Sequence, residues 1–234
     1  MIIAGILAGG TGTRMGADKP KQFLEIGGVP VIVRTVRRFM GHPGIDKVII
    51  AMNAEWIDYS IDLLSKNGIT TDDVTIVEGG DTRFDSLVAL ANASLSAAGD
   101  EPCIMINHDC ARPFVSERII SDNIDMMKDF DMLTTSVPTI DTVLLSNNGQ
   151  TSDVVPERKT VFLDQGPQTV DVRHFLALVD TLDDAEKQKY MEAGRLYLDK
   201  GLKVGIVEGE RENFKLTTKF DMCLAEMLLQ NGTV

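Results

Sequence analysis

Two cations set just beyond a glycine-rich turn are the residues of this chain with the clearest chemical use. An apolar run ends at Leu7 and Ala8, Gly9, Gly10 and Gly12 follow, and Arg14 and Lys21 come next. Glycines let the backbone turn sharply and approach a bulky anion, and consecutive backbone N–H groups in such a turn face phosphate oxygens. Arg14 supplies a planar, permanently charged fork and Lys21 a mobile point charge, while Pro20 stiffens the segment that carries the lysine. The combination suits a nucleoside triphosphate. Two better-known phosphate loops do not fit. A dinucleotide fingerprint starting at Gly10 and Gly12 needs a third glycine where Met15 stands, and a Walker loop needs Gly-Lys followed by Ser or Thr.

Two further segments carry chemically useful side chains. Gly79-Gly80-Asp81-Thr82-Arg83-Phe84-Asp85-Ser86 follows an expected strand and opens a helix, the place where open α/β sheets bind ligands. Its first turn offers free N–H groups, Arg83 a charged fork and Ser86 a hydroxyl. His108-Asp109-Cys110-Ala111-Arg112-Pro113 also follows a strand, which puts Asp109 at the same sheet edge as the glycine turn. A carboxylate beside bound phosphates implies either a divalent cation or a hydrogen bond to a substrate hydroxyl, and Arg112 either joins the site or forms an ion pair with Asp109. Cys110 lacks a His–Asp arrangement around it and reads as a small buried thiol.

These residues need a scaffold, and the hydrophobic pattern supplies one. Val31 to Met40 reads as a helix, Lys47 to Met52 as a strand, Ile57 to Lys66 as a helix and Val74 to Glu78 as a strand, which is βαβ alternation. Thr82 with Asp85 forms a capping box opening a helix to about Ala98, and Cys103 to Asn107 is the next buried strand. Ser116 caps a helix through Met127, and Thr134 to Pro138 is a further strand. Between about 141 and 163, the β-prone runs Thr142 to Leu145 and Thr160 to Leu163 flank Asn147-Asn148-Gly149, the pattern of an extended hairpin arm. Such an arm either packs on a partner chain or stands as a long surface hairpin. Helices from about Val172 to Leu182 and Asp184 to Lys200, a strand at Val204 to Val207 and a helix capped by Thr218 with Asp221 complete the chain. The expectation is an α/β fold in a single domain over 1–234: a Rossmann-like, mostly parallel central sheet flanked by helices, with a protruding β-hairpin arm.

Composition narrows the function. With 35 acidic against 23 basic residues, the formal charge is −12, which argues against nucleic acid or an anionic membrane surface as the main partner. An acidic protein that holds a triphosphate must then concentrate cations locally, as Arg14, Lys19 and Lys21 do. The apolar start has no leading basic residues and is interrupted by Gly9 and Gly10, so neither a signal core nor a membrane span is expected, and a cytoplasmic location follows. The odd set Cys103, Cys110 and Cys223 and the scattered His42, His108 and His174 show no metal-ligand spacing.

Taken in order, these segments resemble the cytidylyltransferases that join CTP to a sugar-alcohol phosphate. The set comprises residues 7–16, Pro20-Lys21-Gln22, Gly79-Gly80-Asp81 with Arg83 and Ser86, His108-Asp109 with Arg112-Pro113, Asp141-Thr142, Arg158, Pro167-Gln168 and Lys215-Leu216-Thr217. Two branches are similar: enzymes for D-ribitol 5-phosphate, used in teichoic acid and capsule precursors, and enzymes for 2-C-methyl-D-erythritol 4-phosphate, used in isoprenoid synthesis. The first glycine loop, Pro20-Lys21-Gln22-Phe23-Leu24-Glu25 and the Gln-Thr-Val after Pro167 resemble the ribitol branch more.

The resemblance implies a GT-A-like nucleotidyltransferase fold in which Leu7, Ala8, Gly9, Gly10 and the run Gly80, Asp81, Thr82, Arg83, Phe84, Asp85, Ser86 hold CTP. It implies that Arg14 and Lys21 stabilise charge on the α-phosphate, that Asp109 contacts the ribose or Mg2+, and that Arg112 belongs to the nucleotide site. Thr142 and Arg158, on an arm exchanged with a second subunit of a homodimer, and Lys215 would orient the acceptor phosphate. The reaction implied is in-line attack of the acceptor phosphate on the α-phosphorus, with pyrophosphate leaving. A sugar-nucleotide binder without turnover is the competing class, and intact Arg14, Lys21 and Lys215 argue against it. Gly166, where the family commonly has Thr, and Met191-Glu192, where a Thr-Asp pair is usual, depart on the acceptor side and bear on which polyol phosphate is used.

Overall fold

The computed structural model describes residues 1–10 and 19–234. Its chain order is β1 (Ile2–Leu7), β2 (Glu25–Ile26), β3 (Val29–Pro30), α1 (Val31–Met40), β4 (Lys47–Met52), α2 (Ile57–Lys66), β5 (Val74–Glu78), α3 (Arg83–Ala98), β6 (Ile104–Asp109), α4 (Glu117–Met126) and β7 (Met132–Pro138). Then follow β8 (Phe162–Asp171), α5 (Val172–Val179), α6 (Asp184–Lys187), α7 (Ala193–Asp199), β9 (Val204–Glu208) and α8 (Lys219–Gln230). The central sheet has the order β5-β4-β1-β6-β8-β7-β9. Strands β5, β4, β1 and β6 are mutually parallel, β8 runs against both β6 and β7, and β9 is parallel to β7.

Both faces of this sheet are covered, which is why its inner strands are apolar almost throughout. Ile3, Ile49 and Met105 point to one face with Phe84, Leu87 and Leu90 of α3, Phe175 of α5 and Tyr197 of α7. Ala4, Ile6, Ile50 and Ile106 point to the other, with Ile32, Val36 and Phe39 of α1, Leu64 of α2 and Ile119 of α4. A smaller cluster of Ile26, Val31, Phe114, Leu216 and Ala225 docks α8 against the β2–β3 hairpin. From β1 the chain crosses to β4 on one side, while β6 pairs on the other side of β1. That reversal opens a crevice beyond the carboxyl ends of β1 and β6.

Local signals read from sequence are met by the structure. Thr82 and Asp85 form both halves of a capping box on α3, Thr218 and Asp221 do the same on α8, and the Ser116 hydroxyl caps α4. Three expectations are corrected. The sequence pattern predicts no strand beyond Leu163, because Gly166 and Pro167 interrupt it, whereas antiparallel β8 continues to Asp171. There a two-residue step in β7, Thr134 to Ser136, faces a four-residue step in β8, Gln168 to Asp164.

The expected helix from Asp184 to Lys200 is two helices. Its first turn is closed by an Asp183–Glu186 capping box, and Glu192 takes extended geometry before α7. Finally, the arm between β7 and β8 is not an extended ladder. Beyond its base, where Thr139 N donates to Val161 O at 3.1 Å, it holds one antiparallel bridge between Leu145 and Val154 and a short 3-10 turn at Arg158–Thr160.

Candidate functional site

A cavity of about 430 Å³ fills the crevice, lined by three segments that the sheet brings to one edge: Leu7 to Gly10 after β1, Gly80 to Arg83 after β5, and Asp109 to Ala111 after β6. Each turn has a local cause. Gly79 and Gly80 are required, since a Cβ on Gly79 would lie 2.8 Å from Ser86 Oγ and one on Gly80 would overlap Asp85 Cβ. The Ser86 hydroxyl accepts from Gly80 N at 3.2 Å and donates to Thr82 O at 3.1 Å, so it braces the turn from beneath. On the opposite wall Gln22 is buried and donates through Nε2 to Ala8 O at 2.7 Å, tying the segment that carries Lys21 to the exit of β1. Phe23 completes that anchor by packing on Trp56 and Tyr59.

Cations and the buried carboxylate of Asp109 dominate the electrostatics. Asp109 accepts from Lys215 Nζ at 2.7 Å and Arg83 Nη2 at 3.2 Å, with Arg112 Nε at 3.7 Å. Burial alone would raise its pKa, but Arg83, Lys215 and Arg112 outweigh burial and hold the carboxyl well below the usual carboxylate range. Across the cavity, Lys21 Nζ donates to Leu216 O at 2.9 Å. Burial lowers the neighbouring His108 to about 4, so the ring is neutral at pH 7, with Nε2 facing Arg112 O at 2.9 Å. Burial and the charge of Asp109 push the Cys110 thiol far up, which removes it as a nucleophile.

The structure brings Leu7, Ala8, Gly9, Gly10, Lys21, Gly80, Asp81, Thr82, Arg83, Ser86, Asp109 and Lys215 to this cavity. Arg14 lies outside the described residues. Phe84 and Asp85 are corrected: Phe84 is fully buried against Phe175 and Tyr190, and the Asp85 carboxylate accepts from Thr82 N and Thr82 Oγ1 as a helix cap. Successive residues on a helix cannot all face one ligand, and the third and fourth positions of the run turn inward or back. Arg112 lies behind Asp109, donating to Asn213 O at 2.8 Å and lining a smaller adjoining cavity. Thr142 and Arg158 are exposed on the arm and line no part of the main cavity.

Asp109 does not fit as a metal ligand either, because three cations already surround its carboxylate and would repel another. Among the described residues, no group of three or more His, Cys, Asp or Glu side chains could hold a metal ion. Gln22 and Thr217 also line the cavity. Both belong to the motifs Pro20-Lys21-Gln22 and Lys215-Leu216-Thr217, which is the signal that points to them. A third addition is the Met191 carbonyl, which accepts from Arg83 Nη1 at 2.8 Å because the chain unwinds between α6 and α7.

Known proteins match this arrangement over nearly its whole length. The profile of the family described as IspD, 2-C-methyl-D-erythritol 4-phosphate cytidylyltransferase, matches residues 2–231. A ribitol-5-phosphate cytidylyltransferase of Streptococcus pneumoniae is 36% identical over 233 residues, covering 98% of this chain and 99% of that protein. Among solved structures, 4-diphosphocytidyl-2C-methyl-D-erythritol synthase of Anaerococcus prevotii superposes with a TM-score of 0.81 at 28% identity, over 98% of this chain and 96% of that one. The Francisella tularensis 2-C-methyl-D-erythritol 4-phosphate cytidylyltransferase shares the fold with a TM-score of 0.79 at 24% identity, over 97% of this chain and 98% of that one.

Proposed function

This chain belongs to the IspD family of cytidylyltransferases, and from that premise we propose that it transfers CMP from CTP to D-ribitol 5-phosphate, giving CDP-ribitol and pyrophosphate. The observation that carries the reading is the convergence of Lys21, Lys215 and Arg83 on one cavity roofed by glycine-rich backbone, in a protein of formal charge −12. The ribitol-5-phosphate cytidylyltransferase at 36% identity over the full length favours this acceptor. The second reading, 2-C-methyl-D-erythritol 4-phosphate, is favoured by the family profile and by the solved neighbours.

The site works by bringing two polyanions together. A phosphate monoester has a second pKa of about 6 and is already mostly dianionic at pH 7, so its oxygen attacks the α-phosphorus without a base. Asp109 stays ionised and paired, His108 is neutral and buried, and Cys110 is protonated, which matches a site with no proton to move. In the turns at residues 7–10 and 80–82, Gly9, Gly10 and Asp81 carry the backbone N–H groups that are not bonded among the described residues and would meet the triphosphate, while Lys21 neutralises the charge that builds on the α-phosphate. Arg14 is proposed to act beside it. Lys215, steered by Asp109, meets the acceptor phosphate.

Thr142 and Arg158 are proposed to complete the acceptor site of a second subunit in a homodimer, since neither reaches the cavity of its own chain. The exposed Leu144, Leu145, Val154 and Val155 give that arm an apolar face to bury. A divalent cation is proposed to enter with the triphosphate, where it would screen the charge of that group. A cytoplasmic location is likewise proposed; among the described residues no helix is long and apolar enough to cross a membrane. The deciding experiment is pyrophosphate release from CTP and magnesium with each acceptor in parallel. Faster release with ribitol 5-phosphate supports the reading, faster release with the methylerythritol phosphate moves the enzyme to the other branch, and release with neither refutes both acceptors.

A further inference from the structure

Beside the main cavity lies a second of about 40 Å³, and the two share Arg83 and Asp109 as walls. Its lining adds Asn107, Arg112, Asp164 and Gln168. Asn107 and Gln168 are only 1% and 2% exposed, yet Oδ1 of the first and Oε1 of the second have no hydrogen-bond partner. Buried acceptors are ordinarily satisfied, so two on one cavity wall call for a donor.

The orientation of these amides follows from their other contacts. Asn107 Nδ2 donates to Gln168 O at 2.9 Å. Gln168 Nε2 donates to Glu192 Oε2 at 2.5 Å and Asp164 Oδ2 at 3.2 Å, and both carboxylates can only accept. Flipping the Gln168 amide would set its oxygen against two carboxylates, so Oε1 is held on the side without a partner. Glu192 reaches this position only because the chain unwinds between α6 and α7.

The cavity has room for about two to three water-sized groups, the size of one hydroxyl-bearing carbon. Its free oxygens match O–H donors, and the guanidinium groups of Arg83 and Arg112 match hydroxyl oxygens. We propose that this cavity reads hydroxyl groups of the acceptor at the end remote from its phosphate. Asn107 and Gln168 accept from them, and Glu192 is the positioning residue that holds Gln168. A linear polyol phosphate fills the cavity with hydroxyl groups. 2-C-methyl-D-erythritol 4-phosphate is one hydroxyl-bearing carbon shorter and carries a methyl on its branch carbon, so with its phosphate anchored in the same place it brings fewer O–H donors to the two oxygens, and sites built to bind hydroxyls reject such analogues strongly. The inference rests on the polyol phosphate reading above and names what enforces it.

The test is steady-state pyrophosphate release by the full chain and by Glu192→Ala, Glu192→Gln and Gln168→Met, with D-ribitol 5-phosphate and 2-C-methyl-D-erythritol 4-phosphate as acceptors. CTP affinity is followed by calorimetry to show that each variant is folded. The expected result is a preference for ribitol phosphate in the parent. In Glu192→Ala and Gln168→Met, KM for that acceptor should rise about tenfold or more, with CTP affinity retained. Glu192→Gln, which keeps an acceptor for Gln168 Nε2, should recover most of the loss. An equal loss on both acceptors, or a parallel loss of CTP affinity, would assign the cluster a structural role and overturn the inference while leaving the ribitol reading intact. A parent that prefers the methylerythritol phosphate would overturn both.

Discussion

At the scale of single residues, the site is a set of cations organised by one carboxylate. Asp109, its carboxyl held well below the usual range, pairs with Arg83, Lys215 and Arg112, and its proposed role is to aim them. Lys21, held on the other wall, is the cation proposed to meet the α-phosphate. Lys21→Ala should lower kcat by about a hundredfold or more, the range seen when one preorganised charge-stabilising donor is removed. Near-normal turnover in a pyrophosphate assay would withdraw that role from it.

His108 makes a second prediction, on stability. Its folded-state pKa is depressed from 6.5 to about 4 by burial, with the carbonyl of Arg112 and the charge of Asp109 opposing the shift and Arg112 and Lys215 adding to it. The unfolded chain therefore takes up a proton that the folded chain refuses. Stability is full above about pH 6.5 and declines as pH falls toward 4, by on the order of 3 kcal/mol from this residue. Urea unfolding at pH 7, 6 and 5 should show the decline, and His108→Asn should flatten it.

At the scale of elements, the glycine turn after β5 is held by packing beneath it. The Gly79-Gly80 turn sits on Ser86 and Asp85 of α3, and the α3 helix is anchored in the core by Phe84. Gly80→Ala forces its new methyl into Asp85, so the capping box and the turn must part. The expected outcome is a CTP affinity at least about tenfold weaker, with a stability loss of roughly 1–3 kcal/mol. Thr82→Ala removes only the cap and should cost about 1 kcal/mol. Calorimetry of CTP binding beside thermal unfolding separates the two, since the cap variant should keep most of its affinity. Phe84 was expected to face the nucleotide and instead fills the core, because its helical position points it at α5 and at Tyr190.

At the scale of the whole molecule, the arm leaves much of its apolar surface uncovered by its own chain. Ile140, Leu144, Leu145, Val154, Val155, Phe162 and Leu163 are all more than 40% exposed, an apolar strip that the proposed homodimer would bury. Removing residues 145–158 should convert a dimer into a monomer by light scattering and should also suppress turnover, since Arg158 leaves with the arm. A dimer of unchanged mass would place the interface elsewhere.

What the sequence determined by itself were features settled by neighbours a few residues apart. The glycine turns, the capping boxes Thr82–Asp85 and Thr218–Asp221, the strands with continuous apolar runs and the motifs that carry Lys21, Asp109 and Lys215 are of this kind. The antiparallel strand β8 was decided by tertiary structure, because its place between β6 and β7 depends on partners far along the chain and its bulge hides the alternation that marks a strand. The unwinding at residues 188–192 was decided there too, since the Met191 carbonyl and Glu192 are drawn to Arg83 and Gln168 across the fold. The pairing of Lys215 with Asp109, 106 residues apart, follows the same logic. No local pattern encodes that meeting. It exists because hydrophobic burial on both faces of the sheet brings the ends of β1, β5 and β6 and the segment before α8 to one edge, where their charges must then find one another.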